Sequence, residues 1–271
     1  MKMWFKMVIG IAVLPCLAAA LFFVCQPSFS ERKALMMIYG NYDPINKSSL
    51  WVNIPFPDKE DISSYFEKRK GFVQAIFFKS YRENKKNKIF LLTKTIPTNI
   101  PFDCHACLPL IGAAVFVKKR NHWQIEAQNQ FIMYDGEYGE FPVMKLIEIG
   151  KDRFGLSLEF EHGVVRDREL SILVPYKNSI VNAYKEVIYY ENFNDCEYAK
   201  TIPCEAYTAD IAFDKSEKGD FYGLQVKKFG TIYSDQKRKT MPVDQRILYQ
   251  FINGAYSTVS WVGENYILKN K

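Results

Sequence analysis

The residues of strongest chemical character are four cysteines in two close pairs, Cys104/Cys107 and Cys196/Cys204. The first pair encloses a histidine in Phe102-Asp103-Cys104-His105-Ala106-Cys107-Leu108-Pro109. A C-x-x-C of this kind admits three chemistries. A thiol–disulfide centre needs a helix N-terminus and nearby cations to lower the thiol pKa. A zinc site would use Cys104, His105 and Cys107 with Asp103 or His122 as the fourth ligand. A structural disulfide would simply close a turn. The residues that follow, Leu110 to Val117, read as a buried strand and not as the long helix a thioredoxin-like site requires, and Gly112 would weaken a helix there. No second ligand pair of matching spacing accompanies the first, because Cys196 and Cys204 stand too far apart and have no adjacent histidine. Haem attachment would place a histidine where Leu108 stands. Two local disulfides are therefore the leading reading, with redox or metal chemistry at Cys104, His105 and Cys107 as the alternative; sequence leaves the connectivity open.

A second constellation, Tyr134-Asp135-Gly136-Glu137-Tyr138-Gly139-Glu140-Phe141-Pro142, gathers carboxylates, glycines and aromatic rings. Paired acids could serve glycoside hydrolysis, one protonated and one ionised, or could bind Ca²⁺. Neither a Ca²⁺-loop ligand order nor a cleft pattern accompanies them. The expectation is an acidic surface loop, and Tyr134, Asp135, Glu137, Tyr138 and Glu140 form the candidate binding loop. No catalytic residues are assigned, since G-x-S-x-G, H-E-x-x-H and phosphate-loop motifs do not occur. No cofactor is expected.

The elements that must position these residues read as strands. Phe154-Gly-Leu156-Ser-Leu158-Glu-Phe160 alternates apolar and polar side chains, as do the runs beginning at Trp123, Tyr207 and Tyr222. Polar stretches at 82–88, 118–121 and 215–220 fall between such runs as hairpin loops. Two helices are expected: one capped by Asp58 and reaching about Arg69, and one over about 178–190, where Ile180, Val181, Tyr184, Val187 and Ile188 recur at helical spacing. The fold class is mainly β, or β-rich α+β: antiparallel sheets and meanders in two β-rich halves with about two helices. The halves are 31–175, with the Cys104/Cys107 loop, and 176–271, a helix plus a β-rich module with the Cys196/Cys204 loop.

Around the D-C-H-A-C segment, from about Phe90 to Phe160, the chain resembles uncharacterised exported bacterial proteins in which such a segment precedes an apolar strand and a Trp-containing hairpin. The resemblance implies a shared fold and no particular reaction.

The N-terminus bounds the compartment. Lys2 and Lys6 precede an uncharged apolar run, Met7 to Val24, and small residues then recur in signal-peptidase spacing at Ser28-Phe29-Ser30, with Ala18-Ala19-Ala20 as an inner alternative. A signal peptide of residues 1–30 and a periplasmic or secreted product is the favoured expectation; an inner-membrane anchor over 7–24 is the alternative. Lipid attachment at Cys25 is disfavoured, because Phe23-Val24 is not a lipobox. Removing Lys2 and Lys6 lowers the formal charge from +6 to about +4. That charge is too small and too dispersed for nucleic acid. The partner class is an envelope protein or glycan, with membrane contact only through the N-terminal segment if it is uncleaved. A non-catalytic binding module is expected, with thiol or metal chemistry at Cys104/His105/Cys107, or a hydrolase using acids of loop 135–140, as the alternative.

Overall fold

The computed structural model describes residues 29–55, 66, 69–99, 108–135, 141–162, 166–199, 203–216, 219–234 and 237–263. Among them the protein is mainly β, as expected: two antiparallel sheets with two short helices. Helix α1 (Glu31–Tyr39) leads into sheet 1, which contains β1 (Tyr42–Asp43), β2 (Ser48–Val52), β3 (Lys70–Glu83), β4 (Lys86–Pro97), β5 (Leu110–Lys119) and β6 (His122–Tyr134). Sheet 2 contains β7 (Val143–Gly150), β8 (Arg153–His162), β9 (Arg166–Tyr176) and β10 (Ser179–Glu191). After helix α2 (Phe193–Ala199) it continues with β11 (Ala206–Asp214), β12 (Gly223–Ser234), β13 (Lys239–Ile252) and β14 (Ala255–Gly263).

In both sheets the strand order follows the chain order, so every neighbouring pair is consecutive in sequence. Tight turns set the registers. Asn84-Lys85 and Asn253-Gly254 both have positive φ at the two central positions (48° and 63°; 53° and 99°), the backbone that matches the right-handed twist of the flanking strands.

Three apolar layers hold the sheets. Ala34 and Leu35 of α1 pack with Trp51, Ile89, Leu91, Leu110, Ala114 and Phe116 on the outer face of sheet 1. Phe90, Leu92, Ile111, Ala113 and Val115 on the opposite face meet Leu156, Leu158, Phe160, Leu173 and Ile180 of sheet 2. Leu110 to Val117 are all buried because β5 is covered on both faces, which is why they read as a continuous apolar run and not an alternating one. Sheet 2 then curls round a third cluster, with Ile149, Ile172, Val174, Leu224, Val226 and Tyr256 drawn from both halves of its strand order.

The helix expected over 178–190 is instead β10. It pairs with β9 through the Tyr176–Ser179 turn, and its register slips between Asn182 and Tyr184 and between Val187 and Tyr189. Each bulge adds a residue and reverses which parity faces the core, so a period-two strand acquires a spacing that imitates a helix. The β-branched Ile180, Val181, Val187 and Ile188 suit this strand better than a helix. Residue 175 lies within β9, and the chain changes sheet between Tyr134 and Val143. The helix expected from Asp58 lies outside the described residues apart from Phe66 and Arg69, and the Phe66 ring joins the layer beneath α1.

An ionic knot also ties the sheets together. Lys88, on β4, ion-pairs with Glu83 at the end of β3 and with Glu126 of β6 at 2.9 Å. The second oxygen of Glu83 accepts the Phe154 backbone N–H of β8 at 3.0 Å. Lys88 and Glu83 are buried although they belong to a stretch that reads as a polar turn.

Candidate functional site

The site is built at the end of the molecule where β4, β6 and β10 finish. β6 and β10 run side by side in the same direction: Gln128 N–H donates to Asn178 O, the Asn129 amide to Ile180 O, and the Lys185 ammonium to Asp135. The 98–109 connection leaves β4 and enters β5 at this end, where Leu110 pairs with Tyr134 and Asp135 N–H donates to Pro109 O. The loop after β10 also leaves here. It is tied by the Cys196–Cys204 disulfide and by Asn192, whose side chain donates to Pro203 O at 2.9 Å and accepts from Glu205 N–H at 2.7 Å. Residues 98–99 and 108–109, on either side of the undescribed 100–107, thus share one end with the Cys196–Cys204 loop.

Beneath the rim lies a cluster of charged side chains drawn from β8, β9, β10 and the residue that follows β6. Lys185 Nζ is 2.8 Å from Asp135 Oδ2 and 2.9 Å from Glu169 Oε1, and His162 Nε2 stands 3.9 Å from Asp135 Oδ1. The His162 ring stacks on Phe160. Asp135, expected on an acidic surface loop, is only 7% exposed. Burial pushes the Glu169 carboxyl above the usual carboxylate range; Lys185 opposes that rise and the neighbouring Asp135 carboxylate adds to it. Burial works against the Lys185 ammonium, but its hydrogen bonds to Asp135 and Glu169 outweigh the burial and raise its pKa.

The rim is apolar and exposed. Leu108, Tyr134, Phe141 and Val143 are between 40% and 55% exposed, although they converge on one end of the sandwich. Lys94 of β4, opposite Ile111, holds its ammonium 4.4 Å from the centre of the Phe141 ring, and burial lowers its pKa. On the neighbouring cysteine-tied loop, α2 presents Phe193 and a nearly fully exposed Tyr198.

Of the expected binding loop, the structure describes Tyr134 and Asp135; Glu137, Tyr138 and Glu140 lie outside the described residues. Cys104, His105 and Cys107 also lie outside them, while Cys196 and Cys204 are joined as expected. Among the described residues no group of three or more His, Cys, Asp or Glu side chains is placed to hold a metal ion. Glu169 and Lys185 were not expected at the site: they come from strands 34 and 50 positions after Asp135, with no local motif. The one available signal was the density of charge in Arg166-Asp167-Arg168-Glu169, unusual in a strand that continues into Leu170-Ser-Ile-Leu-Val174.

No family model, curated protein or solved structure matches the chain. The functional reading therefore rests on the geometry. For a glycosidase, two carboxylates must flank a sugar from opposite sides. Here Asp135 and Glu169 share a single lysine, at 2.8 and 2.9 Å, so the space a substrate would occupy between them is filled by the Lys185 ammonium. The same ammonium stands where a cation would bind between the carboxylates. This is the geometry of an ion network that stiffens a surface.

Proposed function

We propose that the protein is an exported, non-catalytic binding module that takes an apolar-rich segment of an envelope protein at the end where β4 and β6 finish and the Cys196–Cys204 loop leaves sheet 2. The observation that carries this reading is the exposed rim of Leu108, Tyr134, Phe141 and Val143 set over the ion network. Apolar side chains left in water together, on a base cross-linked by ion pairs, are the composition of a protein-recognition surface. The aliphatic Leu108 and Val143 favour a polypeptide over a glycan, which would call for more hydrogen-bonding groups among the rings. Among the described residues β7 is one of the two outer strands of sheet 2, so its backbone near Val143, away from Ile149 whose carbonyl accepts Tyr222 N–H, offers hydrogen bonds to an extended partner segment.

The test is retention of envelope proteins by the natural full-length chain, compared with Phe141→Ala/Val143→Ala and with Val259→Ala on the far strand β14. The reading expects a specific protein to be retained by the natural chain and by Val259→Ala, and lost at least tenfold by the double variant. Equal retention by all three would overturn it, as would retention of a polysaccharide in place of a protein.

A further inference from the structure

The opposite end of sheet 1 carries a second surface, independent of the first. Phe29 and Ser30 belong to the fold. The Phe29 ring lies 5.0 Å from both Phe116 and Trp123, centre to centre, and packs against the layer beneath α1. Ser30 caps α1, its Oγ accepting from Lys33 N–H and its carbonyl from Ala34 N–H. Cleavage after Ser30 would strip the helix of its cap and the layer of a ring. Four residues separate Phe29 from Val24, where the 18-residue apolar run ends. Even fully extended, they keep Val24, the near end of the run, within about 18 Å of Phe29.

A groove opens where the chain enters. It is lined by Phe29, Lys33, Met36, Met37, His122 and Trp123, and Met36 and Met37 are 47% and 43% exposed. The β5–β6 hairpin end beside it carries exposed Lys118 and Lys119 at the end of β5 and Arg120 in the turn, and the β3–β4 hairpin at the same end of the sheet carries Lys85 in its turn and Lys86 at the start of β4. Arg32 is exposed on α1, whose single acid is Glu31. Apolar side chains that can enter the headgroup layer, ringed by cations and tethered within a few residues of an apolar run of membrane-spanning length, make an interfacial surface.

We propose that residues 7–24 stay on the protein as a membrane anchor and that this entry end of sheet 1 docks on an anionic bilayer, with Met36, Met37 and Trp123 at the headgroup level. The recognition rim then faces away from the membrane. Cations of this density raise local affinity for phosphatidylglycerol over a zwitterionic lipid, while the tether supplies the proximity.

Two measurements on the full-length chain test the proposal. The intact mass of protein taken from the native envelope is expected to include residues 7–24; an N-terminus at or after Cys25 overturns the anchor. Hydrogen exchange is then compared in phosphatidylglycerol and phosphatidylcholine nanodiscs. The amides of 36–37 and 118–123 are expected to exchange at least fivefold more slowly in the anionic discs, with no change at Asn253-Gly254. The slowing should vanish in Lys118→Glu/Lys119→Glu/Arg120→Glu, whose changes sit on an exposed hairpin end and spare the core. Equal exchange in both discs, or slowing that survives charge reversal, overturns the docking surface.

Discussion

Replacing Lys88 by Met tests whether the two sheets are joined by charge as well as by apolar packing. The substitution removes the ammonium that neutralises Glu83 and Glu126 but keeps most of the apolar volume. Glu126, whose side chain is 37% exposed, can turn into water, whereas Glu83, 10% exposed and bound to Phe154 N–H, cannot without breaking a contact between the sheets. An uncompensated carboxylate relieves itself by taking a proton, which sets a ceiling on the cost. At pH 7 and an ordinary glutamate pKa of about 4.3, that ceiling is about 3.7 kcal/mol, at 1.36 kcal/mol per pH unit. The range of about 3–5 kcal/mol for breaking a buried pair from one side agrees with it. Urea unfolding followed by tryptophan fluorescence is expected to show a loss of about 3 kcal/mol at pH 7, shrinking to about 1–2 kcal/mol near pH 5.5 as protonation becomes easier. Adding Glu83→Gln should recover most of the loss, since no charge then remains buried. A loss below about 1 kcal/mol at pH 7, or one that does not shrink on acidification, would refute the reasoning.

Tyr39, at the end of α1, is pushed up to about 12 by burial, with its bond to Thr93 Oγ1 opposing the rise. The unfolded chain therefore ionises first, and stability should fall by about 2 kcal/mol between pH 10 and 12, a loss that Tyr39→Phe should lack in alkaline denaturation. Glu169 also has a raised folded pKa, so its contribution is present below the ordinary value of 4.5 and lost as pH rises through the shifted one. The unfolding free energy of the natural chain should accordingly drop relative to Glu169→Gln across that acid window, and a flat difference would contradict the shift. A Cβ at Gly112 would meet Gln130 O at 2.5 Å and Thr93 Oγ1 at 2.9 Å, so Gly112→Ala should cost more than about 2 kcal/mol in thermal or urea unfolding. Opening the Cys196–Cys204 loop by double alanine substitution should cost about 2–3 kcal/mol, read as a lowered urea midpoint.

Where one face of a strand meets water, sequence was a sufficient guide. Leu156, Leu158 and Phe160 alternate and are buried, as β8 requires, and the loop expected at 215–220 falls between strands, while of that expected at 118–121 Arg120 and Asn121 form the turn and Lys118 and Lys119 close β5. Legibility failed where the period was broken. Ile180 to Ile188 kept a helical spacing because two bulges shift the register of β10. Helix α1 went unread because Glu31–Tyr39 has a narrow apolar stripe and is separated by only six residues from the apolar run 7–24. The site was half legible: Tyr134 and Asp135 stood out by composition, but Lys185 and Glu169 reach Asp135 only through the packing of sheet 2 on β6. Glu83 and Lys88 show the same limit, since a charged residue beside a turn gives no sign that a second sheet will cover it.

The recognition rim is tested most directly by placing a photo-crosslinking phenylalanine analogue at Phe141, and separately at the exposed Ile252 beside the β13–β14 turn, and irradiating intact envelopes. A single discrete protein adduct from position 141, absent from position 252, is the predicted result. No adduct from position 141, or the same adducts from both positions, would contradict the account.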